Sequence, residues 1–210
     1  LSMTAQPLNF SPAADDGDEL ARAEVYGLLS QLLYAPPDET LYAQLQVAVT
    51  EAPAKGGFLE KSWGELVAAS RRLDAAQVRD EYDTLFVGVG KPELFLYGSF
   101  YIAGKLNEKP LAELRDELRR LGLERAQAMT ETEDHIAYLC EVMRFLIAGD
   151  DLALSNLATQ QRFFDSQLRA WAEAMWSQIA QHPRADFYRA LALFGHAFFA
   201  VEAQAFDMLA

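Results

Sequence analysis

Apolar residues recur at spacings of three and four along most of this chain, the signature of helices that bury one face. Leu20, Val25, Leu28, Leu29, Leu32 and Leu33 form the first stripe, predicting a helix from Asp18 until Ala35-Pro36-Pro37 stops it. Proline lacks the helical N–H and disfavours helix in the residue before it. Leu41, Leu45 and Val49 predict a short second helix over 38–49, followed by a loop at 53–57. Trp63, Leu66 and Val67 anchor a third. Asp74, with Gln77 three residues on, approximates a capping box and opens a fourth, whose stripe is Val78, Tyr82, Leu85 and Phe86.

Periodicity fails across Val87-Gly88-Val89-Gly90-Lys91-Pro92, read as a loop, and across the aromatic run Phe95-Leu96-Tyr97-Gly98-Ser99-Phe100-Tyr101. Pro110 suits a first helical turn, Leu111, Leu114, Leu118 and Leu121 carry that helix, and Gly122 ends it. Thr130 and Glu133 make an expected second capping box, ahead of a stripe of Ile136, Leu139, Cys140, Met143 and Leu146 that stops at Gly149-Asp150-Asp151. One long pattern runs through Phe163, Phe164, Leu168, Trp171, Met175 and Ile179 to His182-Pro183, and a final helix begins near Asp186. No stretch alternates with period two between hairpin turns. The expectation is an all-α fold of eight to ten helices, a single domain over 18–210. Its two packed halves are 18–125 and 130–210, with a hinge near 126–132 and a flexible tail at 1–17.

Composition agrees with a packed globular chain: 210 residues, 51% hydrophobic and 23% charged. Eighteen Lys and Arg against 31 Asp and Glu leave a net charge of −13, which repels phosphate backbones and attracts cationic partners, so no nucleic-acid partner is expected. The one cysteine, Cys140, closes no intramolecular disulfide, and no Cys/His set suits zinc, so no metal is expected. No run approaches the roughly 18 apolar residues of a membrane span. Leu1-Ser2 ahead of Met3 reads as an added remnant, and the absence of a basic-then-apolar leader predicts a cytoplasmic protein.

Catalytic templates find little purchase. There is no G-x-x-x-x-G-K-[ST] loop, and Gly88-Val89-Gly90 is too short for a dinucleotide fingerprint. Cys140 lies in an apolar stripe and reads as a buried small hydrophobe. His182 and His196 read as structural histidines. The cluster Glu131-Thr132-Glu133-Asp134-His135 stands apart. Acidic residues in a first helical turn complement the helix dipole, but a charged histidine sits badly at that positive end. A neighbouring carboxylate would offset this, making Asp134 and His135 a candidate polar pair. Acid–base catalysis by that pair is one alternative. The aromatic run is either core or the lining of a peptide groove, where tyrosines offer large area with a polar tip.

In their order along the chain, several segments resemble the TorD/DmsD family of cytoplasmic molybdoenzyme chaperones, with the NarJ type as more distant relatives. Tyr82-Asp83-Thr84-Leu85-Phe86-Val87-Gly88 is similar to that family's Y-x-x-L-F-x-G segment, and Tyr97-Gly98-Ser99-Phe100-Tyr101 to its aromatic-G/E-S-x-aromatic segment. Glu131-Thr132-Glu133-Asp134-His135 is similar to its E-P-x-D-H signature, and 163–171 with Phe187-Tyr188-Arg189-Ala190-Leu191 to its closing helices. Two positions depart from the pattern: Thr132 stands where the signature has proline, and Val89 where a proline often follows the first segment.

The resemblance implies a non-enzymatic chaperone that binds the twin-arginine signal peptide and apo form of a molybdenum-cofactor oxidoreductase of anaerobic respiration. It would assist cofactor insertion and delay twin-arginine export until maturation. By the same resemblance the peptide site would centre on Asp134 and His135; Glu131, Glu133 and Asp134 would receive the arginines, with Tyr97, Ser99, Phe100, Tyr101 and Tyr34 beside them. Carboxylates suit that role because they accept charge-assisted hydrogen bonds from guanidinium groups. Two further readings stay open: recognition of the mature part of the apoenzyme, and weak nucleotide binding, since some family members have been linked to GTP. No cofactor of its own is implied beyond that, no stable membrane insertion, and either a monomer or a domain-swapped dimer. The client enzyme is left open.

Overall fold

The computed structural model describes Leu8 and residues 17–50, 59–125 and 129–209. The expected tail, apart from Leu8 and Gly17, the loop at 53–57 and the 126–128 part of the expected hinge lie outside the described residues. Among the described residues the chain is all-α. Its helices are α1 (Gly17–Tyr34), α2 (Glu39–Gln46), α3 (Glu60–Arg72), α4 (Ala75–Tyr82), α5 (Gly98–Ala103), α6 (Lys109–Arg120), α7 (Ile136–Ala148), α8 (Leu157–Gln167), α9 (Ala172–Gln181) and α10 (Phe187–Asp207). The helices group into two compact units, each discontinuous in sequence.

One unit draws on 35–94 and 176–209. Asp38 caps α2 through its side chain, and the expected Asp74–Gln77 capping box opens α4 with both reciprocal bonds formed. The stripe that continues past Tyr82 is real but is not α-helical: Asp83–Val87 form a π-helical turn. That turn closes on Gly88, whose φ of 66° and whose approach to the Lys91 carbonyl, 2.1 Å from where a Cβ would sit, leave room for glycine alone. α10 packs on α3 and α4, with Trp63 and Phe194 rings 5.4 Å apart and Tyr188 set between Tyr82 and Phe86. His196 faces solvent rather than the core. The His182 side chain has Nε2 3.0 Å from a Glu93 oxygen, and its Nδ1 accepts the Arg184 amide at 3.3 Å.

The N-terminus of α10 is served from a distance. Asp186 stands at the cap position but gives its carboxylate to Arg72, at 2.6 and 2.8 Å. Glu81 of α4 accepts the three freed amides of Asp186, Phe187 and Tyr188 at 2.8, 3.0 and 2.8 Å. Those amides are the orphan donors of any helix start, and an anion there also meets the positive end of the dipole.

The other unit draws on 17–34 and 95–175. α1 lies along α7, and Val25, Leu28, Leu29, Leu32 and Leu33 are buried as the stripe predicts, although Leu20 is not. α7 buries Ile136, Leu139, Cys140, Met143 and Leu146. Gln160 of α8 ties the helices together, donating to the Leu146 carbonyl and accepting from Arg22. α6 starts with Pro110 in its first turn and ends before Gly122 at φ 68°, as the sequence predicts. The long pattern expected over 163–179 is broken at 168–171 into α8 and α9. Both the Leu168 and Arg169 amides turn back to the Phe164 carbonyl, and the Trp171 indole N–H takes the Gln167 carbonyl at 2.7 Å. The break lets buried Trp171 stack on Tyr101, a tertiary demand that overrides local periodicity.

Candidate functional site

The acidic cluster is not the first turn of a helix. α7 begins at Ile136, and its cap is His135, whose Nδ1 accepts the Ala137 amide at 3.1 Å. Thr130 and Glu133 therefore form no capping box, and 131–134 bends and turns into the helix, with the His135 amide donating to the Thr132 carbonyl at 3.0 Å. The awkward histidine is accommodated by staying neutral. Burial drives its pKa from 6.5 down to about 4, against the smaller opposing pull of Glu131 and Asp134. An acceptor Nδ1 places the ring proton of the neutral form on Nε2. Tyr97, Tyr138 and Tyr34 set their rings edge-on or tilted to the imidazole, with centroids 5.0, 6.2 and 6.4 Å away.

The aromatic run meets this segment through an isolated antiparallel bridge between Tyr97 and His135. The Gly98 amide donates to the Asp134 carbonyl at 2.9 Å and the Ile136 amide to the Leu96 carbonyl at 2.8 Å. Gly98 then opens α5, so the expected loop is a short helix from that point. A Cβ on Gly98 would lie 3.0 Å from two atoms of the Trp171 indole, which is why glycine stands here.

Asp134 and His135 do not pair with each other. The Asp134 carboxylate is buried, with Oδ2 accepting the Ser99 amide at 2.9 Å and Oδ1 the Thr132 hydroxyl at 2.7 Å. Thr132 thus supplies a hydrogen bond that a proline at this position lacks. Glu131 accepts the Tyr97 hydroxyl. Glu133 accepts both Nε and Nη2 of Arg115, from α6, at 3.0 and 2.8 Å. Burial pushes the Glu133 carboxyl up, but the Arg115 hydrogen bond and charge outweigh it and hold the group below the ordinary carboxylate value. A second guanidinium, that of Arg125, donates to the Glu131 carbonyl at 3.0 Å.

Of the aromatic candidates, Tyr97 and Tyr34 gather at His135, whereas Tyr101 is a strut. Its hydroxyl donates to the Phe95 carbonyl at 2.9 Å, its ring stacks on Trp171, and burial raises its phenol pKa. Phe100 is half-buried and stacked on Phe95 at 4.2 Å. The Ser99 hydroxyl is fully buried and has no hydrogen-bond partner among the described residues. Arg115, Arg125 and Tyr138 escaped the sequence reading. Tyr138 was findable three positions after His135 on one helix face, but nothing near Arg115 in sequence points to Glu133.

The arrangement suits the binding of a guanidinium group. It offers two half-buried carboxylates next to tyrosine rings, of which Glu133 accepts a guanidinium group and Glu131 the Tyr97 hydroxyl. Among the described residues no group of three His, Cys, Asp or Glu side chains is placed to hold a metal ion, and no helix is long and apolar enough to cross a membrane.

Comparison with known proteins bears on most of the chain. The profile of the nitrate reductase delta subunit family matches residues 54–177. A protein named "Chaperone protein TorD" from Vibrio cholerae serotype O1 is 27% identical over 204 residues, spanning 90% of this chain and 93% of its own. Proteins of the same name from Aliivibrio fischeri and Aliivibrio salmonicida are 26% and 25% identical, over 81% and 82% of this chain and 87% and 88% of theirs.

Proposed function

The chain belongs to the nitrate reductase delta subunit family, the family of TorD-type molybdoenzyme maturation chaperones, and from that premise we propose that it binds the twin-arginine signal peptide of a molybdenum-cofactor oxidoreductase. It holds the apoenzyme in the cytoplasm while the cofactor is inserted and delays export until then. It acts by binding, without turnover.

One observation supports the peptide reading: segment 131–134 already receives two guanidinium groups of its own chain, Arg115 on the Glu133 carboxylate and Arg125 on the Glu131 carbonyl. A segment that accommodates two such groups beside Tyr97 has the chemistry that a basic-then-apolar peptide needs. In this reading Glu131 and Glu133 meet the arginines. Asp134 and His135 hold the segment in place, Ser99 anchors it, and Tyr97, Phe100, Tyr101 and Tyr34 furnish the aromatic surroundings.

The test is calorimetric titration with signal peptides of the host's molybdoenzymes, each beside a version with both arginines changed to glutamine. Tight, arginine-dependent binding to one peptide supports the reading and names the client. Binding of apoenzyme lacking its signal, with none of the isolated peptides, moves recognition to the mature part of the client.

A further inference from the structure

Segment 131–134 meets its own chain's arginines before it meets a partner's. α6 buries Leu111, Leu114 and Leu118 and turns Arg115, Arg119 and Arg120 outward. Arg119 and Arg120 pair within α6, with Asp116 and Glu117, whereas Arg115 reaches off the helix to Glu133. Both of its donors converge on one oxygen, Oε2, rather than forking across two. The two partners are unequally held: the Glu133 side chain is 15% exposed and that of Arg115 47%. The carboxylate is the more buried member of the pair and the guanidinium the more exposed one.

We propose that Arg115 is an internal competitor, occupying in the free protein the Glu133 carboxylate that an arginine of the bound peptide takes over. This rests on the reading that segment 131–134 receives a twin-arginine peptide. Exchanging one guanidinium for another conserves the charged hydrogen bonds at Glu133, so that contact adds little net affinity. The return of Arg115 to Glu133 then assists peptide release, which a chaperone needs when it hands its client on. The contact caps affinity for every peptide that uses Glu133.

The experiment uses the full chain and a synthetic peptide with an Arg-Arg pair ahead of an apolar run, beside its Gln-Gln version. Arg115→Gln is expected to tighten the Arg-Arg peptide about two- to five-fold, the span of an exposed ion pair, chiefly through slower dissociation. The Gln-Gln peptide should be unaffected. Arg119→Gln removes the same charge without freeing Glu133 and should leave binding unchanged. In a Glu133→Gln background the gain from Arg115→Gln should vanish. Arg115→Lys keeps the charge but loses the paired donors, and its smaller gain of the same sign provides the test should Arg115→Gln melt early. Unchanged or weaker binding in folded Arg115 variants, or an equal gain in Arg119→Gln, overturns the competitor role and leaves the peptide reading standing. No arginine-dependent binding by wild type or by either Arg115 variant overturns both.

Discussion

The Asp134 carboxylate accepts the backbone amide of Ser99 at 2.9 Å, across 35 positions of sequence. α5 has no side-chain cap from its own Tyr97, so the cap comes from Asp134 instead. The same residue accepts the Gly98 amide through its carbonyl and the Thr132 hydroxyl through its other oxygen. An acidic segment and an aromatic segment, separate features in the sequence, become one site through this residue.

Asp134→Ala should therefore cost stability before it costs affinity. It leaves the buried Ser99 amide without an acceptor and removes a charged hydrogen bond, an effect of about 2–3 kcal/mol. Asp134→Asn keeps an acceptor for Ser99 and should cost about half as much. Urea unfolding of both variants checks the order. Equal stabilities of wild type and Asp134→Ala would remove the capping role.

His135 gives the protein an acid-sensitive component of stability. Its folded pKa, about 4, lies below the unfolded value of 6.5, so the unfolded chain binds more protons between those values. Stability is then fully present above about pH 6.5 and falls as pH drops towards about 4, by up to about 3 kcal/mol. His135→Asn retains an N-cap acceptor and should flatten that part of the profile. Unfolding free energies of the two proteins from pH 4 to 7 make the comparison, and parallel curves would count against it.

Glu81→Ala should be among the more damaging half-buried substitutions. It strips the acceptor from three amides at the start of α10, the longest helix among the described residues. Losing a charged acceptor there is expected to cost about 2–3 kcal/mol. Asp186→Ala, which loses an exposed pair with Arg72, should cost less than about 1 kcal/mol. Thermal denaturation of the two variants tests the inversion of their apparent roles.

Gly98→Ala adds a methyl group 3.0 Å from the Trp171 ring, which is itself fixed by stacking on Tyr101. Overpacking at such a point typically costs about 1–3 kcal/mol. Because Gly98 is bonded to Asp134, peptide affinity should fall together with stability. Near-UV circular dichroism of the tryptophans, followed through unfolding, reports both the repacking and the loss.

The features that the sequence disclosed share one property: their causes lie within a helical turn or two. The Asp74–Gln77 box, Pro110 and Gly122 at the ends of α6, the stop at Gly149 and the burial of Cys140 all follow from near neighbours. The failures have the opposite property. Thr130 and Glu133 have the spacing of a capping box, yet Glu133 is taken by Arg115 and the helix starts later, at a histidine. The 163–179 pattern is continuous in polarity, yet Trp171 packs against Gly98 and Tyr101 and the helix breaks.

The sequence by itself determined the all-α class, several helix boundaries, most of the buried stripes and the two segments from which the candidate site is built. Periodicity and capping are local, and each is written in residues three or four apart. Only the tertiary structure decided which carboxylate does what: Asp134 to Ser99, Glu131 to Tyr97, Glu133 to Arg115, Glu81 to the start of α10. An ionised carboxylate can accept from any donor within about 3 Å, so its partner is chosen by which chain segments packing brings together.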